Sequence, residues 1–199
     1  MTRGKISCRI FTGQNISTMK KNILVFGGIS GLVVGILSMI LLLFSKATGD
    51  HGGSALFLGY LVMVIAFSFI FVGVRNYRDK YNEGTISFGK AFTVGLGITV
   101  VASTIYVLFW LVDFYVFIPD FMDKYAAAQI KRVTESGVSQ AVLDKKIAEI
   151  NNMKALYRNP VFVILYTYLE ILPVGIVISL LTAFIQKRRR PRAGVAVAG

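Results

Sequence analysis

A chain of 199 residues that is 55% hydrophobic and carries a net charge of +12 does not fit an ordinary soluble domain. The strong basic excess would suit a nucleic-acid binder, but no basic face is interleaved with base-stacking aromatics, and that class is excluded. Residues 23–44, 55–74 and 91–112 contain no Asp, Glu, Lys or Arg, and residues 161–185 contain only Glu170. At a rise of about 1.5 Å per residue such runs reach about 30 to 38 Å, enough to cross a hydrocarbon core of about 30 Å. The sequence therefore predicts an all-α integral membrane protein, a four-helix bundle whose partner is the lipid bilayer.

The charges fall between the runs and mainly on one side. Residues 1–22 hold Arg3, Lys5, Arg9, Lys20 and Lys21 with no acid, and residues 186–199 hold Lys187, Arg188, Arg189, Arg190 and Arg192, again with none. The connection 75–90 adds Arg75, Arg78, Lys80 and Lys90 against Asp79 and Glu83, whereas basic and acidic residues nearly balance in the other two connections. Lys and Arg beside spans are retained in the cytoplasm, so both termini and the middle connection are expected inside, in a bacterial inner membrane. An even number of spans requires the same.

Residues 1–18 are polar, lack apolar periodicity and are expected to be disordered. Met19-Lys20-Lys21-Asn22 reads as a natural start ahead of a first span. A cleaved signal peptide is disfavoured, because the apolar core of residues 23–44 exceeds the usual h-region. The first span carries Gly27, Gly31 and Gly35, continued by Ser38. Residues four apart share a helix face, and small ones let another backbone approach where lipid supplies no hydrophobic drive. Gly95 with Ala91, Thr99 and Ser103 repeats the device in the third span, and Gly175 with Ser179 and Ala183 in the fourth. Packing within one chain is the preferred reading of these stripes, and a homodimer seam the alternative.

Cys8 is the only cysteine and His51 the only histidine, so an intrachain disulfide is impossible and no His/Cys metal site can form within one chain. Neither metal nor cofactor is expected. Gly84-Thr85-Ile86-Ser87-Phe88-Gly89-Lys90 formally matches the core of a phosphate-binding loop. Ala91 follows, however, so the magnesium-binding hydroxyl is missing, and a span rather than a strand precedes the motif. A tight turn, with Phe88 and Lys90 anchoring the third span, is preferred to nucleotide binding.

After the third span, Phe109, Trp110, Phe114, Tyr115 and Phe117 mark a headgroup interface. From Pro119 to Val133 the positions of Phe121, Met122, Tyr125, Ala128 and Val133 approximate helical spacing, and Gly137 breaks it. Ser139 is a candidate N-cap for a second helix with Leu143, Ile147, Ile150 and Met153 on one face, ended by Asn159-Pro160. Residues 119–158 thus predict an extracytoplasmic helical hairpin. Packing of its apolar stripe on its own partner helix is preferred to contact with the membrane surface or another protein.

Glu170 lies about ten residues into the fourth run, or roughly 15 Å along it. A carboxylate at that depth must be neutralised or face a partner or water. Tyr166 and Thr167 lie one turn earlier, while Ser103, Thr104, Tyr106 and Ser68 sit at comparable depths on other spans. Pro173 removes a backbone donor three residues later and is expected to kink the helix. A hydrogen-bonded structural kink and a proton or substrate site are both open readings, and with a single acid the structural one is preferred. The Lys187-Arg188-Arg189-Arg190 run is the expected inner flank, and residues 191–199 a disordered tail.

From Met19 to about Arg190 the chain resembles a family of bacterial four-span proteins, mostly from Bacteroidetes, known as domain-of-unknown-function family four-one-nine-nine. The likeness rests on Gly73-Val74-Arg75-Asn76-Tyr77-Arg78-Asp79, Ile86-Ser87-Phe88-Gly89-Lys90-Ala91-Phe92, Pro119-Asp120-Phe121 and Glu170-Ile171-Leu172-Pro173-Val174-Gly175. The resemblance implies an inner-membrane location and brings no activity with it. No cluster of His, Cys, Asp or Glu converges at one depth, so an enzyme is not expected. A scaffold or accessory subunit is the first expectation, with a possible homodimer or another membrane protein as partner. The alternative is a small transporter or proton-linked channel using Glu170.

Overall fold

The computed structural model describes residues 3–48, 53–82 and 84–187. His51, Arg188 to Arg190 and the tail 191–199 lie outside the described residues, as does the side chain of Cys8. Every regular element described is helical: α1 (Arg3–Thr48), α2 (Gly53–Tyr81), α3 (Phe88–Val112), a π-helical turn (Asp113–Phe117), α4 (Phe121–Glu135), α5 (Gln140–Leu156) and α6 (Pro160–Gln186). Four stretches are long and apolar enough to cross a membrane: Ser17–Leu43, Phe57–Tyr81, Phe88–Phe117 and Pro160–Gln186. The protein is an all-α, multi-pass membrane protein.

Several boundaries extend beyond the apolar runs. α1 already begins at Arg3, where the polar composition suggested irregular chain; no proline interrupts residues 3–22, and helix continues through them. α2 continues seven residues past Val74 to Tyr81, because its polar last turns still bury Tyr77 completely. The third span does not stop at Val112. The helix widens into the π turn, closed by Ile118 N donating to Asp113 O at 2.9 Å, and Asp113 is buried within it.

The chain divides into two compact units. The first comprises Met1–Ser30, Phe67–Ala102 and Val174–Gly199, and the second Gly31–Ala66 and Ser103–Pro173.

In the first unit several polar side chains bond to partners in the chain, although Gln186 Oε1 is buried without one. Asn22 donates through Nδ2 to the carbonyl of Gly73 at 2.9 Å and accepts from Asn76 Nδ2 at 2.7 Å. Thr99 Oγ1 lies 3.1 Å from the Gly95 carbonyl, 3.2 Å from the Gly175 carbonyl and 3.0 Å from Ser179 Oγ, and Gln186 Nε2 donates to the Phe71 carbonyl at 2.7 Å. Apart from the Thr99–Gly95 bond, which stays within α3, each of these bonds joins two helices and so fixes which faces meet. Phe67, Ile70, Val94 and Ile98 fill the space between.

The small-residue faces are consumed by this packing. A Cβ at Gly27 would come within 2.7 Å of Val101, one at Gly95 within 3.1 Å of Ser179, and one at Gly175 would overlap the Thr99 methyl. In the second unit a Cβ would come 2.7 Å from Ile105 at Gly31 and 2.6 Å from Phe109 at Gly35. The α1 stripe therefore meets α3 of the same chain.

The connection after α2 is a turn. Gly84 takes φ +71°, Asn82 Nδ2 donates to the Thr85 carbonyl, and Lys90 Nζ donates to Asn82 Oδ1 at 2.7 Å while lying 5.4 Å from the Tyr77 ring centroid. The lysine of the apparent phosphate-loop motif is thus held by its own chain. Gly89, expected in the turn, is already inside α3.

In the second unit α4 and α5 pack as the hairpin the periodicity predicts, turning at Gly137 with φ +68°. Ser139 occupies the N-cap of α5, although its side chain makes no capping bond. Lys154 Nζ meets Asp123 at 2.5 Å across the pair. Leu143, Ile147, Ile150 and Met153 are half-buried, as self-packing requires. Asn159 closes the hairpin by accepting from Val161 N at 3.0 Å through Oδ1, and Pro160 opens α6, where a missing N–H costs nothing.

Candidate functional site

The second unit contains a cavity of about 450 Å³. Its walls come from four parts of that unit: Tyr60 of α2; Tyr106 and Trp110 of α3; Phe121, Met122, Tyr125, Met153 and Tyr157 of the hairpin; and Tyr166, Thr167, Leu169 and Glu170 of α6. The spacing on α6 explains how one helix supplies so much. Tyr166 and Thr167 precede Glu170 by four and three residues, which places all three on neighbouring positions of one helical face. Tyr106 and Trp110 stand in the same relation on α3.

The aromatic walls are fixed by packing. Trp110 meets Phe121 edge-on with centroids 5.2 Å apart, Phe114 lies 5.8 Å from Tyr157, and Tyr157 lies 5.7 Å from Tyr166. Phe114, Met122 and Val163 form a buried cluster beneath, against which Trp110, Phe121, Met153 and Tyr157 rest. Edge-to-face arrangements of this kind favour ordered rings over mobile ones. Tyr106 shares a hydrogen bond with the Ser38 side chain, and burial pushes the Tyr157 phenol well above its ordinary value, so Tyr157 stays a neutral hydroxyl throughout the physiological pH range.

Among the described residues Glu170 is the only charged one lining this space. None of the ion pairs among the described residues involves it. Two hairpin cations beside wall residues are engaged by other acids, Lys124 by Asp120 at 2.6 Å and Lys154 by Asp123 at 2.5 Å. Of the lining residues, Tyr60 is 45% and Leu169 70% exposed, and Glu170 is exposed as well. α6 runs continuously through Pro173. Proline carries no N–H, so the carbonyl of Leu169, one residue from the carboxyl, loses its in-helix donor.

Of the polar residues singled out in the sequence, Glu170, Tyr166, Thr167 and Tyr106 meet at this cavity. Ser103 does not. It is fully buried one turn before Tyr106, and its hydroxyl has no hydrogen-bond partner. Thr167 bonds back to the Val163 carbonyl at 2.7 Å, and Thr104 accepts from Tyr168 at 2.9 Å. Ser68 belongs to the other unit. Tyr60, Tyr125, Met153 and Tyr157 line the cavity without having been marked as site residues. Tyr125 and Met153 were visible as members of apolar stripes, but nothing in their spacing shows that the space they face is left unfilled. Among the described residues no group of His, Cys, Asp and Glu could hold a metal ion.

Residues 26–188 match the model of a family described as "Protein of unknown function (DUF4199)". The chain belongs to the DUF4199 family. The matched region takes in the whole cavity and its supporting hairpin, so the site lies within the family domain. No curated protein matches the chain, and no solved structure matches it.

Proposed function

We propose that this DUF4199 protein is a non-enzymatic membrane carrier for a small solute, with the cavity of the second unit as its binding site and Glu170 as the group that recognises the load. The observation that carries this reading is a space of about 450 Å³ reaching the one acid of the fourth span, within the size range of small-molecule sites. A carboxylic acid used only to brace a kink would sit against a partner in the chain. Glu170 instead lines a cavity and joins none of the ion pairs among the described residues. Among the described residues the lining holds no histidine or cysteine and a single acid, which suits binding better than bond-making.

The basic residues of segments 1–22, 75–90 and 186–199 support a bacterial inner-membrane orientation with both termini cytoplasmic and the hairpin outside. The test uses the single native cysteine. In a Cys8→Ser background, Leu169→Cys is expected to react with a membrane-impermeant maleimide added to intact spheroplasts. No labelling there, with normal labelling of the detergent-solubilised chain, would reject a water-reached site.

A scaffold or accessory-subunit role is the second reading. α5 favours it, because no residue of that helix is buried and its polar face is open to a partner. The stripe that a homodimer would use is occupied by α3 of the same chain at Gly27, Gly31 and Gly35.

A further inference from the structure

We infer that the solute class is a small organic cation, an alkylated ammonium bound between the Glu170 carboxylate and the aromatic walls. The inference rests on the cavity being a binding site and adds the chemistry of what fills it. Three observations converge. Among the described residues the lining contains one acid and no Lys, Arg or His, so the site offers a carboxyl and no cationic side chain to an occupant. Lys124 and Lys154, which flank the wall residues Tyr125 and Met153, are paired with Asp120 and Asp123 at 2.6 and 2.5 Å, and none of the ion pairs among the described residues gives Glu170 a counter-charge. The remaining walls are dominated by rings, among them Tyr106, Trp110, Tyr125, Tyr157 and Tyr166.

Ring faces attract cations through the aromatic quadrupole, most strongly for Trp and then Tyr, when the cation lies within about 6 Å of the centroid. The contacts that hold these rings against one another, such as the 5.7 Å Tyr157–Tyr166 pair, preset them before a ligand arrives, so little ordering is lost on binding. Other classes fit poorly. An inorganic divalent ion would find one carboxylate where it needs several oxygens, and a carboxylate or phosphate ligand would meet Glu170 with no compensating cation.

Trp110, the only tryptophan in the chain, lines the cavity and reports occupancy. The full chain in nanodiscs of zwitterionic lipid is titrated with choline chloride, with its neutral carbon isostere 3,3-dimethylbutan-1-ol and with sodium chloride at matched ionic strength, while Trp110 emission is followed. A saturable change with choline alone is expected. Glu170→Gln should weaken the apparent affinity by about tenfold or more, the range for one lost desolvated charge contact, Glu170→Asp should recover most of it, and Tyr125→Ala should weaken it about threefold. If the neutral isostere saturates the signal as well as choline does, or choline binds Glu170→Gln unchanged, the cation assignment fails while the binding-site reading stands. If no probe moves Trp110 and Leu169→Cys is also unreactive from water, both fail.

Discussion

The two units treat intramembrane polarity in opposite ways. In the first, Asn22, Asn76, Thr99, Ser179 and Gln186 each end on a named partner in the chain, and glycines bring backbones close enough to make those bonds. In the second, Glu170 and several tyrosines line a cavity. A hydrogen bond between helices is worth about 0.6 kcal/mol on average in a membrane. The first arrangement therefore contributes modestly to stability but specifies which faces meet. The second, on the function proposed above, leaves the Glu170 carboxyl for an occupant to satisfy. The contrast teaches that a polar residue in a span is read by its surroundings: closed partners mean architecture, and open space means recognition.

The sharpest way to break this contrast is to hollow out each unit in turn. Phe67 is fully buried in the first unit, and Phe67→Ala is expected to cost about 3 kcal/mol in a reversible unfolding assay. Tyr125→Ala, at a cavity wall and 38% exposed, should cost well under half of that while weakening ligand binding. Equal losses would mean that the cavity wall is as structural as the core. Next in size is Gly175→Val. The added branch collides with Thr99, and a loss of roughly 2 kcal/mol is expected, measured by the same unfolding assay. Ser103→Ala removes a buried hydroxyl that has no partner, so it should be neutral or raise stability by up to about 1 kcal/mol. A clear loss of stability would show that Ser103 does carry a bond. The smallest effect is expected from Lys154→Ala. Its pair with Asp123 has side chains 39% and 63% exposed, and solvent screening should hold the change below about 1 kcal/mol, read as a small shift in hairpin proteolysis.

The four crossings were legible because charge is so strictly excluded from residues 23–44, 55–74 and 91–112. The hairpin was legible because Gly137 and the apolar periods on either side of it report local conformation. Boundaries were less so. Asp113 ended the third run on paper, yet a carboxyl can be buried in a π turn, and the helical path reaches Phe117. The α1 stripe announced a close contact, and the choice of α3 as its partner required coordinates. At the site, Glu170 stood out as the one acid in its span, and Tyr166 and Thr167 followed from helical spacing. Tyr60, Met153 and Tyr157 could not follow. A cavity is a failure of distant surfaces to fill space, and periodicity records which way a residue faces without recording what stands opposite.

Gly137 has a practical consequence. Its left-handed backbone joins the exposed ends of α4 and α5, where an inserted epitope would interrupt neither helix. An antibody against such a tag would bind cells sealed in only one orientation, giving a direct reading of the membrane face on which the hairpin stands.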